Sequence, residues 1–300
     1  MVNLYYNFGV TGTFHALTFG EKILHKMAHD KRPLLSEFAD KFGIKAHVSE
    51  LIGSEYVVPT LQTIGNESEL DFKRYPREFV LKPTHGSQAG IIVSERAPRS
   101  REKLLPIYHP WIRYFEIHPD DLETNQGFVT IMAKKWLNSS YRPETEYCYQ
   151  AIPPQIIIEE YLDLKSTGVL NDFRFYTFHG KVKFFRAASG YATNLPTYRY
   201  DSDGVYLSIK EVHDNFDIDG LEIPTLPNSW ILMKEFAERL SRGVDFVRAD
   251  FYLVGEKIYF SELTNYPLAG SIKFLPDSFD KLVSSYWEKC DCCPPPSDLK

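Results

Sequence analysis

Lys82 ends an apolar run, "EFVLK", and opens onto Pro83, Thr84, His85, Gly86, Ser87 and, after two more residues, Gly90. Such a loop cannot pack a core. It offers backbone N–H groups and hydroxyls at close range beside a lysine, which is what an anion such as a phosphate requires. A second group lies in "VDFVRADFYLVGEKIYFSEL", where alternation puts Phe246, Arg248, Asp250 and Tyr252 on one face of a strand. Ile258, Phe260, Glu262 and Thr264 share a face on the next strand. A turn at Gly255-Glu256-Lys257 pairs Val254 with Ile258 and sets Asp250 opposite Glu262. Facing carboxylates repel by up to about 1 kcal/mol, so the hairpin invites a cation. Oxygen ligands of this kind suit Mg²⁺ or Mn²⁺ completed by phosphate and water.

Mixed helices and strands must carry these groups. "RPLLSEFADKFGIKAHVSELIG" has Leu34, Leu35, Phe38 and Phe42 at helical spacing and predicts two short helices meeting near Gly43. "SEYVVPTL" reads as a strand, "AGIIVSE" completes a hairpin with the Lys82 strand, and "PPQIIIEEYL" is a strand that Pro154 begins. Two further hairpins turn at His179-Gly180 and Asp203-Gly204. From Ser229 to Arg242, Trp230, Met233, Phe236, Ala237 and Leu240 line one helix face, and Gly243 stops it.

The 300 residues are 43% hydrophobic and 15% aromatic, a composition that builds a large core. A net charge of −6 excludes the basic field of a duplex nucleic-acid binder. The first residues, interrupted by Asn3, Asn7, Thr11, Thr13 and His15, make a poor signal peptide, and no membrane span is evident. A cytoplasmic location follows as the expectation. Cys290, Cys292 and Cys293 form at most half of a zinc or redox site before a Pro-rich end.

In order and spacing, "ADKFGIKAHVSELIGSEYVVP", "FVLKPTHGSQAGI", "IIIEEYL", "NDFRFYTFHGKVKF" and "FVRADFYLVGEKIYFSELTNYP" resemble the ATP-grasp superfamily, and within it the TupA-like branch named for teichuronopeptide biosynthesis. The resemblance implies an α+β fold of two lobes clasping ATP, with a helical N-terminal segment. It divides the chain into an N-terminal segment (1–70), a small lobe with the phosphate loop (71–158), a large lobe with the metal hairpin (159–289) and a mobile Cys/Pro tail (290–300).

By that resemblance Lys41 and Lys82 contact ATP phosphates, and His85, Gly86, Ser87 and Gly90 belong to the loop that closes over them. Glu159, Glu160, Tyr161 and Leu162 meet adenine, and Asp172 holds the ribose, with Arg174 on the same strand face. Asp250, Glu262 and Thr264 bind metal, and Arg248 stabilises charge at the reacting carbonyl, with Lys82 and Arg174 beside it in the catalytic set. Peptide ligases of the superfamily usually carry Asn where this chain has Thr264, with Asn265 next; the TupA-like branch tends to have Thr.

The activity implied is ATP-dependent joining of a carboxylate to an amine through an acyl phosphate, on small-molecule or glycan substrates in surface polysaccharide assembly. The alternative is a transferase acting on a sugar hydroxyl, either a kinase using the same ATP site or a glycosyltransferase using Asp201 and Asp203. "KPTHGS" is not a P-loop, because its lysine precedes the loop. "NFDIDGLEIPTL" places Leu226 where a calcium loop needs Glu, and His25 and His29 lack a third ligand.

Overall fold

The computed structural model describes residues 14–100, 102–111, 113–142, 144–164, 170–189, 196–214 and 220–291. Three helices come first: α1 (Phe19–His29), α2 (Pro33–Ala39) and α3 (Ile44–Ile52). Thr18 starts α1 with a capping box, its hydroxyl accepting from the Glu21 amide while the Glu21 carboxylate accepts from the Thr18 amide. Pro33 opens α2, where its missing N–H costs nothing, and Gly43 stands between α2 and α3 as expected.

Next come β1 (Thr60–Ile64), β2 (Phe79–Pro83), β3 (Ala89–Val93), β4 (Arg113–Ile117), α4 (Leu122–Leu137) and β5 (Ile156–Glu160). They build the small lobe, a five-stranded sheet in the order β1-β5-β2-β3-β4 with only β3 and β4 parallel. Phe79, Leu81, Ile91, Ile156 and Ile158 bury one face against Phe128, Met132 and Trp136 of α4. The strand alternation therefore turns Val80, Lys82, Ile92 and Glu159 to the opposite face.

The large lobe contains β6 (Asp172–Phe178), β7 (Lys181–Ala188), β8 (Thr197–Asp201), β9 (Tyr206–Leu207), β10 (Lys210–Glu211), α5 (Ser229–Leu240), β11 (Phe246–Val254), β12 (Lys257–Thr264), β13 (Phe274–Leu275) and α6 (Asp277–Tyr286). Its antiparallel sheet runs β12-β11-β6-β7-β8-β9, and β10 pairs with β13 apart from it. One face, with Phe173, Phe175, Phe185, Val247 and Phe251, packs on α3 and α5. The other face is covered at one end only, where Tyr176, Phe178, Phe184 and Phe246 meet Phe19 and Ile23 of α1 and Trp287. Beyond that cover the same rows continue as Asp172, Arg174, Arg186, Arg248, Asp250 and Tyr252, which face a cavity.

Several expectations change. "SEYVVPTL" is not one strand: Ser54–Tyr56 form a 3-10 turn, and β1 begins only after Pro59. β1 belongs to the small-lobe sheet and α3 to the large-lobe core, so the described part of the expected 1–70 segment is shared between lobes; β5 lies wholly in the small lobe across the expected 158/159 boundary. At the start of the tail, Cys290 is buried and disulfide-bonded, which removes its thiolate from the zinc half-site, and Asp291 accepts from Arg32 (2.8 Å) and the Asp245 amide (3.0 Å). Cys292, Cys293 and the rest of the tail lie outside the described residues, as do Asn215–Asp219 of the calcium-loop decoy.

The acid hairpin is corrected in detail. Its turn is Gly255-Glu256, with Val254 opposite Lys257, and Ser261 is an extra residue that shifts the register. The bulge restores Asp250 opposite Glu262, but it puts Ile258 and Phe260 into the core, not on the face of Glu262 and Thr264.

Candidate active site

A cavity of about 740 Å³ is bounded by both lobes. From the small lobe, Lys82 leaves β2 and ion-pairs with Glu159 of β5 at 2.5 Å. Lys45 of α3 pairs with the other Glu159 oxygen and also donates to the Val58 carbonyl and Thr60 hydroxyl, each at 2.7 Å. Burial alone would push the Glu159 carboxyl up, but Lys82 and Lys45 outweigh it and hold the group below its ordinary value. Burial likewise works to lower Lys82, yet Glu159 keeps it raised. Lys41 is pulled down by burial, with Lys82 adding to the effect and Glu262 opposing it, and its ammonium donates to the Gly86 carbonyl.

From the large lobe, Arg248 grips Asp250 with a two-pronged fork at 2.8 and 2.5 Å. The same guanidinium reaches Glu262 at 3.3 Å and the Thr264 hydroxyl at 3.0 Å, and that hydroxyl donates to Glu262 at 2.9 Å. Arg174 makes a second fork to Asp172 at 3.1 and 2.7 Å and lies 4.0 Å from Asp250. Burial pushes the Asp250 carboxyl up to about 6 against the pull of Arg248 and Arg174. Glu262 is only partly buried, and although desolvation works to raise its carboxyl, Arg248 and Lys41 hold it below the usual carboxylate range.

Two opposed carboxylates and a hydroxyl are all oxygen donors, so the donor chemistry fits Mg²⁺ or Mn²⁺, which need few protein ligands when phosphate supplies the rest. Among the described residues no group of three or more His, Cys, Asp or Glu is arranged for a metal, so a cation here depends on those two acids. Asn265 also lines the cavity, with its amide donating to the Leu35 carbonyl at 2.8 Å.

The cavity brings together Lys41, Lys82, Ser87, Glu159, Glu160, Tyr161, Leu162, Asp172, Arg174, Arg248, Asp250, Glu262 and Thr264. His85 is different: its ring is buried in the small lobe, Nε2 lying 3.0 and 3.2 Å from the Trp136 and Ser139 carbonyls. Gly86 lies in the loop after β2, where its carbonyl accepts from the Lys41 ammonium, and a Cβ there would enter the Trp111 ring. Gly90 sits within β3, where a Cβ would come within 2.9 Å of the Tyr114 ring; its role is room for that ring. Asp201 accepts from the Asp203 and Val205 amides at 2.9 Å each and does not line the cavity, so the sugar-nucleotide reading has a closed turn in place of a metal site.

Sequence reasoning missed Lys45, Tyr114 and Arg186. Lys45 carried a signal, since it stands four residues after Lys41 within the same motif. Tyr114 and Arg186 carried none, because their neighbours come from other strands.

Two α+β lobes that bring Lys82 of the small lobe, with Lys41 and Lys45 beside it, to a cleft facing a paired-acid hairpin make an ATP-grasp fold. The family model described as TupA-like ATPgrasp matches residues 21–287, and the chain belongs to that family. No curated relative matches the sequence. Among solved structures, D-cycloserine synthetase DcsG is similar at 13% identity over 92% of this chain and 84% of that one, with a TM-score of 0.46. D-alanine–D-alanine ligase from Bacillus anthracis matches at 14% identity over 77% and 59%, TM-score 0.39. The ATP-grasp ligase PsnB complexed with a minimal precursor matches at 10% over 78% and 54%, TM-score 0.39. This chain thus spans little more than half the length of the last two. Among the described residues no helix is long and apolar enough to cross a membrane.

Proposed function

We propose that this protein is an ATP-dependent carboxylate–amine ligase of the cytoplasm, acting in surface polysaccharide assembly on small-molecule or glycan substrates. The observation that carries the reading is Arg248, which links Asp250, Glu262 and Thr264 in the wall of a cavity whose other wall carries Lys82 and Lys41. Lys41 and Lys82 bind and orient the ATP phosphates, while Asp172 and the Glu160–Leu162 segment hold the nucleoside. Asp250 and Glu262, with Thr264, would hold Mg²⁺ or Mn²⁺, which neutralises phosphate charge when bound.

The carboxylate oxygen attacks the γ-phosphorus and ADP leaves with the bridging oxygen. Positioning and charge neutralisation are the main demands of this step, so no protein nucleophile is required. The amine then adds to the acyl phosphate, Arg248 stabilises the tetrahedral oxyanion, and collapse expels inorganic phosphate as the amine nitrogen loses its proton. Exclusion of water from the cavity protects the acyl phosphate.

The test supplies ATP, Mg²⁺, a uronic or amino-acid carboxylate and an amine, and follows ADP, free phosphate and product mass. Ligation yields ADP, phosphate and an amide, and hydroxylamine traps a hydroxamate. Arg248→Ala should lose amide formation by about 100-fold or more while ATP binding survives. A stable product heavier by one phosphoryl group, with no free phosphate, would establish the kinase.

A further inference from the structure

One row of the large-lobe sheet is almost entirely charged. Cross-strand pairing aligns Glu262, Asp250, Arg174, Arg186 and Arg199 on β12, β11, β6, β7 and β8. Three arginines side by side repel one another unless each is compensated. Arg174 is compensated by its fork to Asp172. Arg199, at the far end, has Glu211 at 3.2 Å and Asp214 at 2.7 Å.

Arg186, between them, has neither. The acids nearest in charge are Asp172 and Glu211, and both are already engaged, Glu211 with Arg199 and with the Tyr176 hydroxyl at 3.4 Å. Among the described residues Arg186 makes no ion pair, and its Nε is buried without a hydrogen-bond partner while the side chain lines the cavity. A buried donor left unsatisfied costs about 1–3 kcal/mol, and guanidinium cannot escape the cost by losing its proton. Such a cation is poised for an anion supplied from outside the chain.

We infer that Arg186 binds a carboxylate of the non-nucleotide substrate, a charge separate from the group that reacts. The inference rests on the ATP-ligase reading for the identity of the cavity. Its distance argument is independent: Arg186 is two strands from Asp250, roughly 10 Å at about 4.8 Å per strand, too far to share one carboxylate with the acid pair. A planar fork matches a carboxylate in two parallel hydrogen bonds. The substrate is therefore at least a dianion, one acid reacting beside Asp250 and Glu262 and the other held by Arg186.

The experiment uses the full chain and Arg186→Gln and Arg186→Lys variants, each titrated calorimetrically with glutarate, with propionate and with inorganic phosphate, in the presence and absence of a non-hydrolysable ATP analogue and Mg²⁺. The expected result is that glutarate binds the wild type at least tenfold more tightly than propionate. Arg186→Gln should abolish that preference, Arg186→Lys should retain part of it, and analogue affinity should stay within twofold. Equal glutarate binding in wild type and Arg186→Gln, or no glutarate binding at all, overturns the assignment. So does phosphate bound in preference to glutarate, or loss of analogue affinity in Arg186→Gln, which would make Arg186 part of the nucleotide site. A wild type that binds no analogue but keeps the Arg186-dependent glutarate preference refutes the ligase reading and leaves the anion site standing.

Discussion

Replacing Glu159 by Gln tests the centre of the small-lobe site, because it keeps the side chain's shape and removes the charge that two lysines share. Glu159 is 4% exposed, Lys82 23% and Lys45 14%. Breaking a buried pair by removing one partner costs about 3–5 kcal/mol. The lysines are partly hydrated, which places the expected loss of apo stability near the lower limit, about 3 kcal/mol.

The sign with pH follows from the depressed Glu159 carboxyl. Its stabilisation is present above the unfolded value near 4.5 and is lost as pH falls through the lower folded value. Urea unfolding of wild type and variant should therefore differ by about 3 kcal/mol at pH 7 and converge at pH values below the folded titration. ATP-Mg²⁺ should narrow the pH 7 gap, because phosphates replace the lost counterion. A variant within about 0.5 kcal/mol of wild type at pH 7, less than a typical single hydrogen bond, or a gap that persists unchanged into acid, would refute this account.

Asp250→Ala should abolish ADP release and lower apo stability by about 3 kcal/mol, since it strips Arg248 of its fork. Opposed acids alone would predict stabilisation from relieved repulsion, so a rise in the apo melting temperature would count against the arginine bridge. Gly90→Ala should cost about 1–3 kcal/mol by pressing on the Tyr114 ring at 2.9 Å and the Leu81 carbonyl at 3.1 Å. Adding Tyr114→Ala should recover part of that loss in thermal unfolding, and a fully additive double variant would argue against the contact.

Local order was legible because its causes are local. The alternation of Phe79, Leu81 and Lys82, the two turns at His179-Gly180 and Asp203-Gly204, and the spacing of Met233, Phe236 and Leu240 each express a backbone period within a few residues. That most of the residues named from the sequence line one cavity follows from a different source, the ordered motifs that resemble one family. Tertiary structure decided what no local period contains. Ser261 bulges because Phe260 must enter the core while Glu262 faces the cavity, and a strict alternation cannot do both. His85 turned inward because Trp136 and Ser139, distant in sequence, present carbonyls to its ring. The state of each arginine was decided across strands: Arg174, Arg186 and Arg199 are one residue type in one sheet row, yet only their neighbours determine which charges are already matched.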